Sequence, residues 1–200
     1  MKSQTKSEVA APALQARSAL GTARDASPRV VVADAAFQVV EEPFLKIASL
    51  RLSRRADRDA ALRASPFELP QTPNRWIGDA DRSIAHFEPN AWLLFGESHD
   101  VPAAGEGPWL VTDLSSRLAS FRLRGARAAP VLASATAVSP GTQAFVRTLF
   151  AEAAPVLIQR LAESDYRVLI DVSFAEYLAG WLADAGRLHG QDPLSEPSAK

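Results

Sequence analysis

The sequence predicts an α+β fold of antiparallel sheets with helices on one face. Three observations carry that reading. Short runs of β-branched and aromatic residues recur along the 200 residues. Three of them, Ala144–Phe150, Val156–Leu161 and Tyr166–Val172, follow one another with only five and four residues between. The helical stretches interrupt this series irregularly, which fits hairpins with added helices and not a repeating strand–helix unit.

The elements follow in order. Val30–Val32 and Phe37–Val40 are short β-branched runs. Phe44–Leu52 alternates Leu45, Ile47, Leu50 and Leu52 with polar or small residues and reads as a strand. Arg54–Ala64 is charged and Ala-rich, an amphipathic helix, and Pro66, Pro70 and Pro73 then break regular structure. Arg82–Phe87 and Ala91–Phe95 flank Pro89-Asn90 and read as a hairpin. Trp109–Leu114 and Ala119–Leu123 are strand-like runs joined by Ser115-Ser116-Arg117, and Gly125–Ser134 has helical composition. Gly141 opens the three closing strands, with a turn at Ser164-Asp165. Ser173–Leu188 is the clearest helix. Ser173 and Glu176 have the spacing of a capping box, and Phe174, Tyr177, Leu178, Trp181, Leu182, Ala185 and Leu188 recur at three- and four-residue steps. We expect Leu178 and Trp181 to pack on the strands Val156–Leu161 and Tyr166–Val172, with Asp184 on the solvent side.

Residues 1–28 are expected to form a flexible or partner-bound arm without the apolar centre of a signal peptide, residues 29–190 one compact domain of two similar halves, and residues 191–200 a disordered tail. Twenty-two basic side chains balance twenty-three acidic ones, which argues against a nucleic-acid binder or a polybasic membrane anchor. No apolar run approaches the ~20 residues of a membrane helix. With no cysteine there is no disulfide, thiolate zinc site or iron–sulfur cluster, which fits a reducing, cytoplasmic setting. Only Lys2, Lys6, Lys46 and Lys200 are lysines, a bias expected of a GC-rich bacterial genome.

The sequence carries no recognisable catalytic constellation. Gly105 and Gly107 lack the third glycine of a nucleotide-binding loop. Gly96-Glu97-Ser98-His99-Asp100 begins like a nucleophile elbow, but Asp100 stands where the second glycine belongs, so it reads as a loop. His86, His99 and His189 have no metal-motif spacing, and His86 reads as a half-buried packing residue in a strand. Glu41-Glu42, before Pro43, read as solvated and not as an acid–base couple. Arg117, Arg122, Arg124 and Arg127 form a dense cluster, expected to pair with carboxylates of this chain or a partner, a bound anion being the alternative. No catalytic, cofactor-binding or metal-binding residue is assigned.

Glu41–Leu52, Phe87–Phe95 with Pro89 and Trp92, Val111–Ser116 with Asp113 and Ser115, Phe121–Leu132, Arg147-Thr148, Val156–Gln159 and Tyr166–Leu182 follow one another in a set order and spacing. Together these segments resemble the gamma subunits of heterotetrameric sarcosine oxidases. Between Leu132 and Pro140-Gly141 the chain departs from that family. Ala133–Ser139 is shorter and lacks the family's cysteine and Leu-Asp-Leu-His-Pro stretch. The resemblance implies ferredoxin-like halves, as in the folate-binding domain of glycine-cleavage T-protein. It further implies a non-catalytic structural subunit of a complex that oxidatively demethylates sarcosine. Its partners would be alpha, beta and delta subunits, with contacts mainly to alpha. FAD, FMN, NAD and tetrahydrofolate would be held by alpha and beta, and zinc by delta. Three other readings stay open: a subunit of a related N-methylglutamate dehydrogenase, a free-standing folate-binding aminomethyltransferase-like protein that would use Asp113 toward a pterin, and an unrelated scaffold.

Overall fold

Alternating burial sorts the strands into two antiparallel sheets. The computed structural model describes residues 17–21, 27–65, 67–96, 107–140 and 144–188. The strands are β1 (Val30–Asp34), β2 (Phe37–Glu41), β3 (Ile47–Leu52), β4 (Trp76–Gly78), β5 (Ser83–Glu88), β6 (Ala91–Phe95), β7 (Trp109–Asp113), β8 (Leu118–Arg124), β9 (Phe145–Phe150), β10 (Ala154–Ala162) and β11 (Asp165–Asp171). One sheet has the order β1-β2-β8-β11-β10-β9 and the other β4-β5-β6-β3-β7. The α+β class is borne out, and β4 is an addition that the sequence pattern did not reveal.

The chain crosses between sheets at two adjacent places. Residues 42–46 link β2 to β3, and residues 114–117 link β7 to β8. The Ser115-Ser116-Arg117 turn thus changes sheets instead of closing a hairpin. The crossings are tied together: Leu114 N–H donates to the Ile47 carbonyl (2.8 Å) and Ile47 N–H to Ser115 Oγ (3.0 Å).

Three apolar layers result. On the outer face of the six-stranded sheet, α2 (Ala128–Ala135) and α3 (Ala175–Leu188) bury Val131, Leu132, Leu178 and Leu182 against Phe121, Val156, Val168 and Ile170. Between the sheets, Ile47, Ala85, Leu93 and Phe95 meet Phe145 and Leu169. On the outer face of the five-stranded sheet, Leu50, Ile84, Trp92 and Trp109 are covered by Ala61 of α1 (Arg58–Arg63) and by Leu69. Asp57 starts α1 by accepting from the N–H groups of Asp59 and Ala60. Gly125, at φ +106°, lets the start of α2 lie on the β1–β2 turn. A Cβ there would strike the Ala36 carbonyl oxygen.

The helix at the C-terminal end differs in detail from its expected form. A single 3-10 turn, Val172–Phe174, precedes α3, and Asp171 is its cap, accepting from the Ser173 backbone N–H and hydroxyl. The expected Ser173–Glu176 box does not form, because Ser173 turns to Asp171 and Glu176 to Arg29 (3.4 Å). Leu178 is fully buried against the strands, whereas Trp181 is half-buried with its ring edge-on to Phe150 of β9, 4.8 Å away. Phe174, Tyr177 and Leu188 are exposed and lie off the core stripe. Within the expected arm, residues 17–21 pack: Leu20 is buried in the helix-side core and its N–H donates to Glu41 Oε1. His99, His189, Gly105, Gly141, the stretch from Glu97 to Asp100 and the tail 191–200 lie outside the described residues. Among the described residues no helix is long and apolar enough to cross a membrane.

This packing ranks substitutions on α3. In thermal and urea melts, Leu178→Ala should cost about 2–5 kcal/mol through cavity formation. Trp181→Ala should cost ~1–3 kcal/mol, because only part of its ring is buried. Tyr177→Ala and Asp184→Ala should each stay within about 0.5 kcal/mol. Equal losses at Leu178 and Tyr177 would contradict the assignment of faces.

Candidate functional site

The space between the sheets holds the chain's polar interior, and strand alternation places it there. On β11, Asp165, Arg167, Leu169 and Asp171 share one face; on β5, Ser83, Ala85 and Phe87 do the same. One end of the space is ionic, the middle is apolar, and the other end opens as a cleft.

At the ionic end Arg167 is only 2% exposed. Its Nε donates to Glu42 Oε2 (2.7 Å) and its Nη2 to Glu42 Oε1 (3.1 Å) and to the Ala80 carbonyl (2.7 Å). Its Nη1 donates to Gln159 Oε1 (3.1 Å), and Gln159 Nε2 donates to Ser83 Oγ (3.0 Å). The guanidinium also lies over the Phe95 ring, 5.6 Å from its centroid. Arg122 forks onto Asp165 and reaches Glu42 Oε1 (3.4 Å), while Ser120 Oγ donates to Glu42 Oε2 (2.7 Å). Burial alone would push the Glu42 carboxyl up. The Arg167 hydrogen bonds and charge, with Ser120 and Arg122 behind them, outweigh it and hold the group below the ordinary glutamate value. Burial works against the Arg122 charge in the same way, and Asp165 and Glu42 reverse it.

The Glu41-Glu42 pair is therefore not solvated. Glu41 is 2% exposed and takes the Leu20 N–H, and Glu42 lies under two arginines. These partners are distant along the chain, so the local sequence gave no sign of them. The arginine cluster does pair within the chain. Arg117 pairs with Asp171, Arg122 with Glu42 and Asp165, Arg124 with Asp165, and Arg127 with Asp34. Asp113 accepts the Ser115 N–H (2.8 Å), and the Ser115 hydrogen bonds hold its carboxyl below the usual range. It caps its own turn.

The open end is a cleft of about 560 Å³. Leu93, Leu114, Leu118, Leu157 and Leu169 line it, and Arg51, Arg117 and Arg147 stand around it with Glu88 and Asp171. Glu88 takes both Arg51 (2.7 Å) and Arg147 (2.5 Å), so this pair of contacts joins β3 and β5 to β9 across the gap. Ser49 also lines the cleft, and its buried Oγ has no hydrogen-bond partner. Ser49, Arg51, Glu88 and Arg147 as a site were missed by sequence reasoning.

His86 lies on the opposite face of β5. It is 2% exposed, stacked on Trp92 with ring centroids 5.1 Å apart, and neither ring nitrogen has a well-formed hydrogen bond. It is a core histidine, more buried than its expected half-burial. Burial pushes its pKa below the ordinary 6.5 and the Arg58 charge adds to this, while the backbone around Thr72 and Glu88 offsets only part.

Two measurements follow from these environments. Arg167→Met leaves the partly buried Glu42 short of its main partner and should cost about 3 kcal/mol in urea melts, the low end of what breaking a buried pair costs. Adding Glu42→Gln should recover part of that loss, whereas additive losses would contradict the pairing. In acid, His86 and Glu42 both bind protons more weakly folded than unfolded, so both stabilise at high pH and lose that effect as pH falls. The His86 contribution should decline from about pH 6.5 downward and that of Glu42 from about pH 4.5, their ordinary values. His86→Phe should flatten the first decline and leave the second. An unchanged profile in that variant would contradict the buried neutral imidazole.

No family model matches the chain. Sarcosine oxidase subunit gamma of Corynebacterium sp. (strain U-96) is 29% identical over 168 residues, covering 78% of this chain and 82% of that protein. A chain of the heterotetrameric sarcosine oxidase from Corynebacterium sp. U-96, solved in complex with pyrrole 2-carboxylate, superposes with a TM-score of 0.69 at 26% identity, over 83% of this chain and 91% of that one. Glycine cleavage system aminomethyltransferase T from Bartonella henselae gives a TM-score of 0.48 at 15% identity, over 74% of this chain and 45% of that one. In sequence the chain is similar to sarcosine oxidase subunit gamma, and in fold to a chain of heterotetrameric sarcosine oxidase.

Proposed function

We propose that this chain is a structural, gamma-type subunit of a bacterial, cytoplasmic, heterotetrameric sarcosine-oxidase complex. In this reading alpha, beta and delta subunits complete the assembly, with contacts mainly to alpha. The partners carry FAD, FMN, NAD, tetrahydrofolate and zinc, and they perform the oxidative demethylation of sarcosine. The observation that carries the reading is the likeness to a sarcosine-oxidase chain over 83% of this chain and 91% of that one. The ionic end of the interior adds support: Arg167, Arg122, Glu42 and Asp165 are spent on one another and tie the sheets together.

The test is a native pull-down of the tagged full-length chain from its own source. The expected result is a yellow complex with partner chains in fixed proportion, whose flavin absorbance bleaches on addition of sarcosine. Recovery of the chain alone and colourless would overturn the reading. Bleaching by N-methylglutamate and not by sarcosine would transfer the chain to the related dehydrogenase complexes, in keeping with the shortened Ala133–Ser139 segment.

A further inference from the structure

We propose that the cleft between the sheets is a binding site for a small organic carboxylate with an apolar body. The inference is independent of the assembly proposed above and rests on four features of the cleft. Its volume, about 560 Å³, falls in the range of small-molecule sites. More than half of its lining residues are apolar, five of them leucines, which suits an apolar body and not a bare inorganic anion. Its charge is incomplete: Arg51 and Arg147 share the single carboxylate of Glu88, and Arg117 has Asp171, so the charged residues lining the cleft sum to one excess positive charge. The three guanidinium side chains are at least half exposed while Glu88 is mostly covered, so the opening presents cationic donors to solvent.

Ser49 supplies the fourth feature. It lies two residues before Arg51 on the same face of β3, about 7 Å along the strand. The residue contributes to the cleft wall, with its Oγ buried just behind the surface and unpartnered. A buried hydroxyl without a partner destabilises a fold, and a turn about its Cα–Cβ bond would let it donate to a carboxylate oxygen entering the cleft. Arg51 and Arg147 then supply the charge that a second carboxylate beside Glu88 would neutralise. A cationic ligand is disfavoured by the same charges, and a neutral one leaves them uncompensated.

The test is calorimetric titration of the full-length chain with hexanoate, using hexan-1-ol and hexylamine as controls. The expected result is saturable one-to-one binding of hexanoate, with both controls weaker by about tenfold or more. Arg147→Gln, at the exposed rim, should weaken hexanoate by a similar factor without changing the melting temperature beyond the loss of one surface pair. Ser49→Ala should weaken hexanoate while leaving the ligand-free melting temperature unchanged or raised. Absence of saturation, equal binding of hexan-1-ol, or wild-type affinity in both variants would overturn the proposal.

Discussion

The guanidinium of Arg167 is the constraint around which the two sheets are arranged. A charge taken out of water between two β-sheets is tolerated only where nearly all its donors are matched. Here they are matched by groups from separate parts of the chain: Glu42 at the crossing from β2 to β3, Ala80 before β5, and Gln159 on β10. Gln159 passes the contact on to Ser83 of the five-stranded sheet. Apolar contacts between the sheets would tolerate sliding by a residue pair. A bidentate guanidinium–carboxylate contact with a fixed carbonyl beside it does not. The cluster thus sets the register of one sheet over the other, more than it adds net stability.

The cleft follows from the same arrangement. With the sheets pinned at the end holding Asp165, Arg167 and Ser83, and filled in the middle by Phe95, Phe145 and Leu169, the far end is free to open. There the ion pairs are of another kind. Glu88 ties Arg51 and Arg147 at a partly solvated rim, where each bond is worth little and the geometry can adapt. One interior therefore has a rigid, closely matched end and an adaptable, charge-unbalanced end.

Much of this was legible in the sequence, and the remainder was hidden for identifiable reasons. Short apolar and β-branched runs marked ten of the eleven strands among the described residues, and β4, three residues long among prolines and polar residues, has too short a pattern to register. The core face of α3 was legible at Leu178 and Leu182, but periodicity alone merged it with the exposed aromatics Phe174 and Tyr177, since both series share three- and four-residue steps. The capping box failed because Asp171, two residues earlier, competes for the Ser173 hydroxyl. The ionic cluster was invisible because its members lie up to 125 residues apart. One signal did exist: Arg167 and Gln159 interrupt otherwise apolar strands, and such a residue on a buried face requires a partner. Glu42 next to a proline gave no comparable sign.

The most direct test of this account is amide hydrogen exchange on the full-length chain and on Arg167→Met. If the Arg167 cluster joins the sheets into one cooperative unit, amides of β5 and β6 should lose protection together with those of β8, β10 and β11, and by the same amount. Loss confined to β8, β10 and β11, with β5 and β6 protected as in the natural chain, would contradict the claim that this buried guanidinium holds the two sheets together.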